Sequence, residues 1–545
     1  MADNFPPFDY EAARAEFSFD VADDFNFAFD VVGKRGREND KTALIAIDRS
    51  GENVVHHSYA DLDRASNRFA NALIELGIQK GDSALVVIPR IAEWYHVLLG
   101  CTKIGAVSMP GTNLLTGKDI EYRINKAGAK IAVVTETHAT AVDKIKDNCP
   151  TLEHLIVIGS ERPGWSSFEV MCAAASDEVD RAALPQTKSD ELMLIYFTSG
   201  TTAMPKMVGR DHAYSLAHSI TGDYWANLKA DDIHWALTDT GWAKAAWGLL
   251  CPPLLAGSAV LLYDGEGFDV DAHLKIIQEQ KVTTFCAPPT IYRVLAQTDV
   301  SGYDLSSLRH CIGAGEPLNP EAMRSWKEAT GCDIHDGYGQ TETINIVANI
   351  PGMEIRPGSM GKPVPGIDLD VIDDDGNVVA DDEVGHIAVK ITDPWPPGLF
   401  HGYYKDDAAT AKSFRNGWYY TGDTATRDAD GYIWFVGRSD DVITSSGYRI
   451  SPFEVESALM EHEAVVESAV VAKKDDMRGE IVLAYIILGQ GYEASDDLAK
   501  EIQNFIKKLT APYKYPRQIV FREALPKTIS GKIRRVELRE EAENL

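Results

Sequence analysis

The stretch "IYFTSGTTAMPKMV", Ile195–Val208, decides how the rest of the chain is read. A largely apolar run enters a loop of hydroxyls around one glycine, followed by a proline and a lysine. Thr198, Ser199, Gly200, Thr201 and Thr202 offer backbone N–H groups and hydroxyl donors that can wrap polyphosphate oxygens, and Lys206 adds a point charge. The spacing G-x-x-x-x-G-K-[ST] is absent, which excludes a Walker loop. Taken alone, Ser/Thr/Gly runs more often form plain surface loops.

Working outward, the run "LMLIYF" (192–197) is one of a series. "ALVVIP" (84–89), "KIAVVTE" (130–136), "HLIVIG" (154–159), "AVLLYD" (259–264) and "TTFCAPP" (283–289) read as buried parallel strands. Between them lie stretches such as "YADLDRASNRFANALIELG", apolar near helical spacing and closed by a glycine. This predicts an α/β architecture with helices on both faces of largely parallel sheets. From about Pro351 the chain turns to short alternating strands among Gly, Pro and Asp, as a small antiparallel or barrel-like unit would. At "SPFEVESALMEH" Ser451 can cap a helix, Pro452 takes its first position and Glu454 completes a capping box. The last hundred residues alternate strands and helices as an α+β domain. A boundary is placed at Arg438–Asp441.

Bulk properties exclude several functions. The chain of 545 residues is too long for one core. Its net charge of −29 repels DNA and anionic membranes, so no nucleic-acid partner is expected. No apolar run reaches the length of a membrane span. The first thirty residues hold eight acids and one base, Arg14, unlike a presequence. Seven scattered cysteines without a CxxC suggest a reducing compartment, and a cytoplasmic location is expected.

Three more stretches carry chemistry. In "HDGYGQTET" (335–343), preceded by "CIGAGEPLN" (311–319), Glu342 suits Mg²⁺ and Tyr338 could stack a flat ring, against a plain turn with a helix cap. "GAG" there is no dinucleotide fingerprint, lacking a third glycine and a following helix pattern. In "WYYTGDTATRDADGYIWFVGR" Asp423 follows a tight turn and can accept from two ribose hydroxyls, with Arg438 fifteen residues on. In "PKTISGKIRR" Lys532 sits in a Ser-Gly turn, against the reading of a solvated basic tail.

These motifs, in this order and over nearly the whole chain, resemble the adenylate-forming superfamily of acyl-CoA synthetases, adenylation domains and luciferases. "DTGWAKAAWG" (239–248), "SGYRISPFEVESAL" and "TAPYKYPR" look most like the medium-chain acyl-CoA synthetases. The resemblance implies a large N-terminal domain (1–438) of two α/β subdomains plus a small β-barrel, and a small mobile C-terminal domain (439–545) hinged near Asp440. It implies an acid–thiol ligase with ATP, Mg²⁺ and CoA, Lys532 and Glu342 being catalytic and Glu342 holding the metal. Gly315, Glu316, Pro317, Asp336, Gly337, Tyr338, Gly339, Gln340, Thr341, Asp423 and Arg438 join the loop in the nucleotide site. Ser446, Gly447, Tyr448, Arg449, Arg478 and Tyr515 are the implied CoA contacts. Trp242, Lys244, Trp247, Gly313 and Gly339 are the implied acyl pocket, although tryptophans at this spacing are often simple core.

The sequence departs from the family at Ala203, where glycine is usual; at positive φ alanine costs roughly 1 kcal/mol. The competing readings are an adenylation enzyme loading a carrier protein, disfavoured because no carrier module follows, and a non-catalytic nucleotide-binding homologue, disfavoured by intact Lys532, Glu342 and Asp423. The acid is a small-molecule carboxylate of short to medium chain, branched, cyclic and aromatic acids included. A homo-oligomer is compatible with the chain.

Overall fold

The structure, a computed structural model, describes residues 5–198, 204–316, 318, 320–446, 448–475, 477–527 and 533–545, and the backbone alone of Arg449. Among these residues the chain builds four sheets. A seven-stranded sheet runs Ser166–Ser167, His154–Ile158, Ile131–Thr135, Ser83–Val87, Val107–Pro110, Leu192–Phe197, Met207–Asp211. It is parallel except at its last pair, where Met207–Asp211 turns back on Leu192–Phe197. The predicted strands all form, as elements fully buried between helical layers should.

A nine-stranded sheet runs Lys362–Pro363, Asn345–Ala348, Ile334–Gly339, His310–Ala314, Thr284–Ala287, Ile233–Ala236, Ala259–Tyr263, Thr42–Ile47, Val54–Ser58. Several of its strands carry no sequence signal. "IHDGYG", Ile334–Gly339, holds a histidine, an aspartate and two glycines, and reads as a turn. It is a strand because His310–Ala314 pairs it in parallel and Asn345–Ala348 pairs it antiparallel. Tertiary pairing there overrides propensity. A helix, Pro320–Thr330, does follow "GAGEPLN", against expectation; it buries Ala322, Met323 and Trp326.

The third sheet is antiparallel, as expected after Pro351: Leu369–Ile372, Gly385–Lys390 and Trp418–Arg427, with Phe414–Arg415 and Ile433–Arg438 both pairing the last of these. The fourth joins Ile443–Ser445, Tyr448–Ile450, Val465–Asp475 and Gly479–Leu488, with Gln518–Arg522 parallel to Gly479–Leu488. Helix Pro452–Leu459 begins where predicted, and the Ser451 hydroxyl accepts the Glu454 N–H at 3.1 Å. The capping box is not closed. The Glu454 carboxylate turns to Lys514 instead, because a full charge outcompetes a backbone N–H.

Candidate active site

The hydroxyl-rich loop hangs from a hairpin. Strands Leu192–Phe197 and Met207–Asp211 end in register at Phe197 and Met207, and the Thr198 N–H donates to the Lys206 carbonyl at 3.0 Å. The Tyr122 hydroxyl clamps the exit by donating to the Pro205 carbonyl at 2.9 Å. Ser199, Gly200, Thr201, Thr202 and Ala203 lie outside the described residues.

At the neck of this loop the Lys206 ammonium lies 4.3 Å from the centroid of the Tyr403 ring. The Tyr403 hydroxyl donates to Glu342 Oε1 at 2.8 Å. Glu342 is buried, and burial raises its carboxyl above the usual range against the lowering effect of the Tyr403 bond. Its backbone is held just as firmly. The buried guanidinium of Arg210, with its plane over Tyr214, donates to the carbonyls of Glu342 and Gly398, and the Phe400 N–H donates to the Glu342 carbonyl. Both Nη groups of Arg210 are thus spent on this turn, which ties Glu342 to the segment at Gly398, while its buried Nε makes no hydrogen bond. Nothing in the sequence singled out Tyr403 or Arg210.

The second focus is Asp423, 5% exposed on strand Trp418–Arg427 directly opposite Arg438. Its Oδ2 accepts from the Tyr338 hydroxyl at 2.6 Å and from Gln340 Nε2 at 2.7 Å, and Arg438 Nε stands 3.5 Å from Oδ1. Gln340 also donates to the Thr421 carbonyl and accepts from the hydroxyl of Tyr419, a further residue without a sequence signal. Two motifs more than eighty residues apart thus form one bonded unit. Tyr338, expected as a stacking ring, has its hydroxyl committed to Asp423.

The remaining nucleotide-site candidates lie on or just after strands His310–Ala314 and Ile334–Gly339. Asp336 is buried, accepts the N–H of Gly337 at 2.9 Å, and is pushed up to about 8 by burial. Gly337 leaves space filled by Trp225, whose indole would lie 2.5 Å from an added Cβ. At Gly339 a Cβ would meet the Ile344 carbonyl at 2.3 Å. Gly315 takes φ +107, and Glu316 faces Arg293 at 4.0 Å. Thr341 is half-buried beside Glu342. Pro317 and Lys532 lie outside the described residues.

Of the acyl-pocket candidates, the structure brings Lys244 and Trp247 together, the ammonium 5.5 Å from the ring centroid, and sets Trp247 edge-on to Trp225 at 5.1 Å. Trp242 stands at the start of the short helix Ala243–Ala245. Gly313 belongs elsewhere: a Cβ on it would face Ile334, Leu318 and Tyr292, a separate core cluster.

Among the CoA candidates, the Ser446 N–H donates to the Arg478 carbonyl at 2.9 Å while Arg478 Nη1 donates to the Ser446 hydroxyl at 3.2 Å. Tyr448 stacks on Tyr513, 4.1 Å between centroids and 14° between planes. Tyr515 sits apart from that stack, between Lys507 and Arg517. Gly447 lies outside the described residues, and Arg449 contributes its backbone to strand Tyr448–Ile450. Asp440 is bracketed by arginines: Arg438 faces its carboxylate at 3.8 Å and Arg539 donates to its carbonyl at 3.2 Å.

A hairpin-borne loop, a buried carboxylate and a buried aspartate, carried by three different sheets, form the candidate site. The chain belongs to the AMP-binding enzyme family: the family model "AMP-binding enzyme" matches residues 33–404, and "AMP-binding enzyme C-terminal domain" matches 454–532. It is 45% identical over 541 residues to the mitochondrial acyl-coenzyme A synthetase ACSM3 of Rattus norvegicus, covering 97% of this chain and 93% of that one. It is 44% identical over 528 residues to the human mitochondrial acyl-coenzyme A synthetase ACSM4, covering 95% and 90%. Among solved structures it resembles an anthranilate CoA ligase in complex with anthranoyl-AMP (TM-score 0.88, 32% identity, 96% of this chain and 98% of that one). It also resembles an acyl-CoA synthetase of Brucella canis (TM-score 0.76, 36% identity, 98% of each chain). The expected activity is borne out: this is an AMP-forming acyl-CoA synthetase, with ATP and CoA as substrates.

One expectation is overturned. These curated relatives are mitochondrial, so the expected cytoplasmic location does not hold. A targeting address is read by a receptor from a short segment and leaves no trace in the packed body. No helix among the described residues is long and apolar enough to cross a membrane.

Proposed function

We propose that the enzyme activates a short- to medium-chain carboxylic acid, branched, cyclic and aromatic acids included, as its adenylate and passes the acyl group to CoA. A carboxylate oxygen attacks the α-phosphorus of ATP and the bond to the pyrophosphate oxygen breaks. The CoA thiolate then attacks the acyl carbon and AMP leaves with the electron pair. No protein nucleophile is needed, because a free thiol with a pKa near ~8.5 is already partly ionised.

The observation that carries the residue roles is the network tying Asp423, through Tyr338 and Gln340, to the turn that holds Glu342. It sets an acceptor for ribose hydroxyls at a fixed distance from a carboxylate suited to the phosphate side. The loop Thr198–Lys206 cradles the β- and γ-phosphates, Arg438 returns to the nucleotide, and Lys532 stabilises charge developing on the α-phosphate. Mg²⁺ fits Glu342: a hard cation takes carboxylate oxygen, and because burial disfavours the charged carboxylate there, a bound cation would favour its ionised form. When bound, it would neutralise charge on the leaving pyrophosphate.

The divisions 1–438 and 439–545 act as two domains that alternate about Asp440. One arrangement presents Lys532 for adenylation, and the other presents Ser446, Gly447, Tyr448, Arg449, Arg478 and Tyr515 to CoA. The experiment is CoA-dependent AMP release across straight, branched, cyclic and aromatic acids. AMP release only in the presence of a carrier protein, and not CoA, would overturn the reading.

A further inference from the structure

We propose that a cavity at the base of the hairpin formed by Leu192–Phe197 and Met207–Asp211 is a binding site for a compact, uncharged molecule bearing a hydroxyl, which bonds to His212. The site is separate from the residues assigned to nucleotide, acid and CoA, and the inference stands without those assignments.

The cavity, of about 240 Å³, lies against one end of the seven-stranded sheet, where Ser83–Val87, Val107–Pro110 and Leu192–Phe197 begin and Met207–Asp211 ends. Ser83, Val107, Leu192 and Ile195 line it from the sheet, together with His212 and Tyr404. This is the end remote from the hydroxyl-rich loop. Leu192 pairs with Asp211 and Phe197 with Met207, and the rise between those pairs is roughly 17 Å at about 3.3 Å per residue. The volume falls below the ~300–1,000 Å³ of sites for drug-sized ligands, so the occupant it suits has only a few heavy atoms.

His212 distinguishes this cavity from a gap in the packing. It opens helix His212–Ile220, its N–H donating to the Glu191 carbonyl at 3.1 Å, while the Asp211 carboxylate beside it caps the helix by accepting the Tyr214 N–H at 2.8 Å. The residue is 1% exposed, and neither ring nitrogen has a hydrogen-bond partner among the described residues. Burial pushes its pKa down to about 4, so at neutral pH the ring is uncharged and presents one donor and one acceptor. A buried polar group is costly to leave unpaired, and a hydroxyl can answer either nitrogen. The charged residues of the lining, Lys80 and Glu191, are 32% and 34% exposed and are spent on each other. The Lys80 ammonium donates to both Glu191 oxygens, at 2.7 and 2.9 Å, and to the Gln186 carbonyl at 2.9 Å. An incoming anion would face the Glu191 carboxylate and a cation the ammonium, whereas Val107, Leu192 and Ile195 suit a hydrocarbon body.

The test is the binding of phenol to the full chain in solution, with benzoate as the charged comparator. It is read from the methyl NMR signals of Val107 and Ile195, assigned by Val107→Ala and Ile195→Val, which report this cavity apart from any binding at the reaction site. The wild type, His212→Leu and Leu192→Trp are compared, the first variant removing the imidazole and the second filling the space. CoA-dependent AMP release without phenol serves as the control for fold. The expected result is a saturable shift with phenol, a Kd for benzoate at least fivefold weaker, and a Kd for phenol raised at least fivefold in each variant. No saturable shift with phenol, which would leave the cavity to water, overturns the proposal. A difference smaller than fivefold on either count does the same. Should one variant fail to fold, the other decides, and should both fail, the wild-type comparison of phenol with benzoate decides alone.

Discussion

The hydroxyl of Tyr403 donates to Glu342 at 2.8 Å while the ammonium of Lys206 lies 4.3 Å from the centre of the same ring. One side chain thus touches both the cation proposed to face phosphate and the carboxylate proposed to hold the metal.

Tyr403→Phe keeps the ring under Lys206 and removes only the bond to Glu342. A hydrogen bond donated to a carboxylate favours its ionised form, so its loss should raise the Glu342 pKa further. The acidic limb of the pH–rate profile for pyrophosphate exchange should move to higher pH, with activity at neutral pH down about tenfold, or ~1.4 kcal/mol. An unshifted limb would separate Tyr403 from the ionisation of Glu342.

Asp336 gives a stability prediction with a definite sign. Burial lifts its folded pKa to about 8, above an unfolded value near ~4, so the native state binds more protons across that window. Its contribution is fully present below pH ~4 and is lost as pH rises through about 8. In the absence of nucleotide, Asp336→Asn should flatten the decline in stability between these values, by an amount on the order of a few kcal/mol. Parallel denaturation curves for both proteins at pH 5 and pH 8 would contradict this.

Asp423→Ala removes the proposed ribose acceptor and strands the donors of Tyr338 and Gln340. KM for ATP should rise about 10- to 100-fold, and 2′-deoxy-ATP should lose most of its disadvantage against ATP. If the variant still discriminates between the two nucleotides as the wild type does, the ribose lies elsewhere.

Lys532→Ala should abolish adenylation and largely spare thioester formation from pre-made acyl-AMP, since only the first half-reaction builds charge on the α-phosphate. Asp440→Pro should do the reverse, keeping pyrophosphate exchange and losing thioester formation, by fixing φ at the hinge. Equal loss of both half-reactions in either variant would count against alternation.

Trp247→Ala should shift preference toward longer acids, by severalfold for each added carbon, since a buried methylene is worth about 0.8 kcal/mol. Because Trp247 packs on Trp225, some thermal stability will go with it. Lower stability with an unchanged ranking of acids would return Trp247 to the core.

The sequence by itself determined whatever rests on local rules. Apolar runs between glycine-closed helical stretches marked the parallel strands, the change of texture near Pro351 marked the antiparallel unit, and the loop at Thr198 with the "GYGQTE" and "YTGD" stretches marked the candidate nucleotide site. Tertiary structure decided which of those segments touch. Tyr403 reaches Glu342 across 61 residues, Arg210 reaches it across 132, and Tyr419 reaches Gln340 across 79. Tyr403 and Arg210 stand in no motif, and Tyr419 stands in the stretch around Asp423 without a role of its own there, because an aromatic or an arginine on a strand or loop has the same local pattern whether it packs a core or completes a site. The same holds for "IHDGYG", which is a strand only because its two neighbours supply its hydrogen bonds. Periodicity reports the face a residue buries; the partner it meets there is set by how distant elements pack.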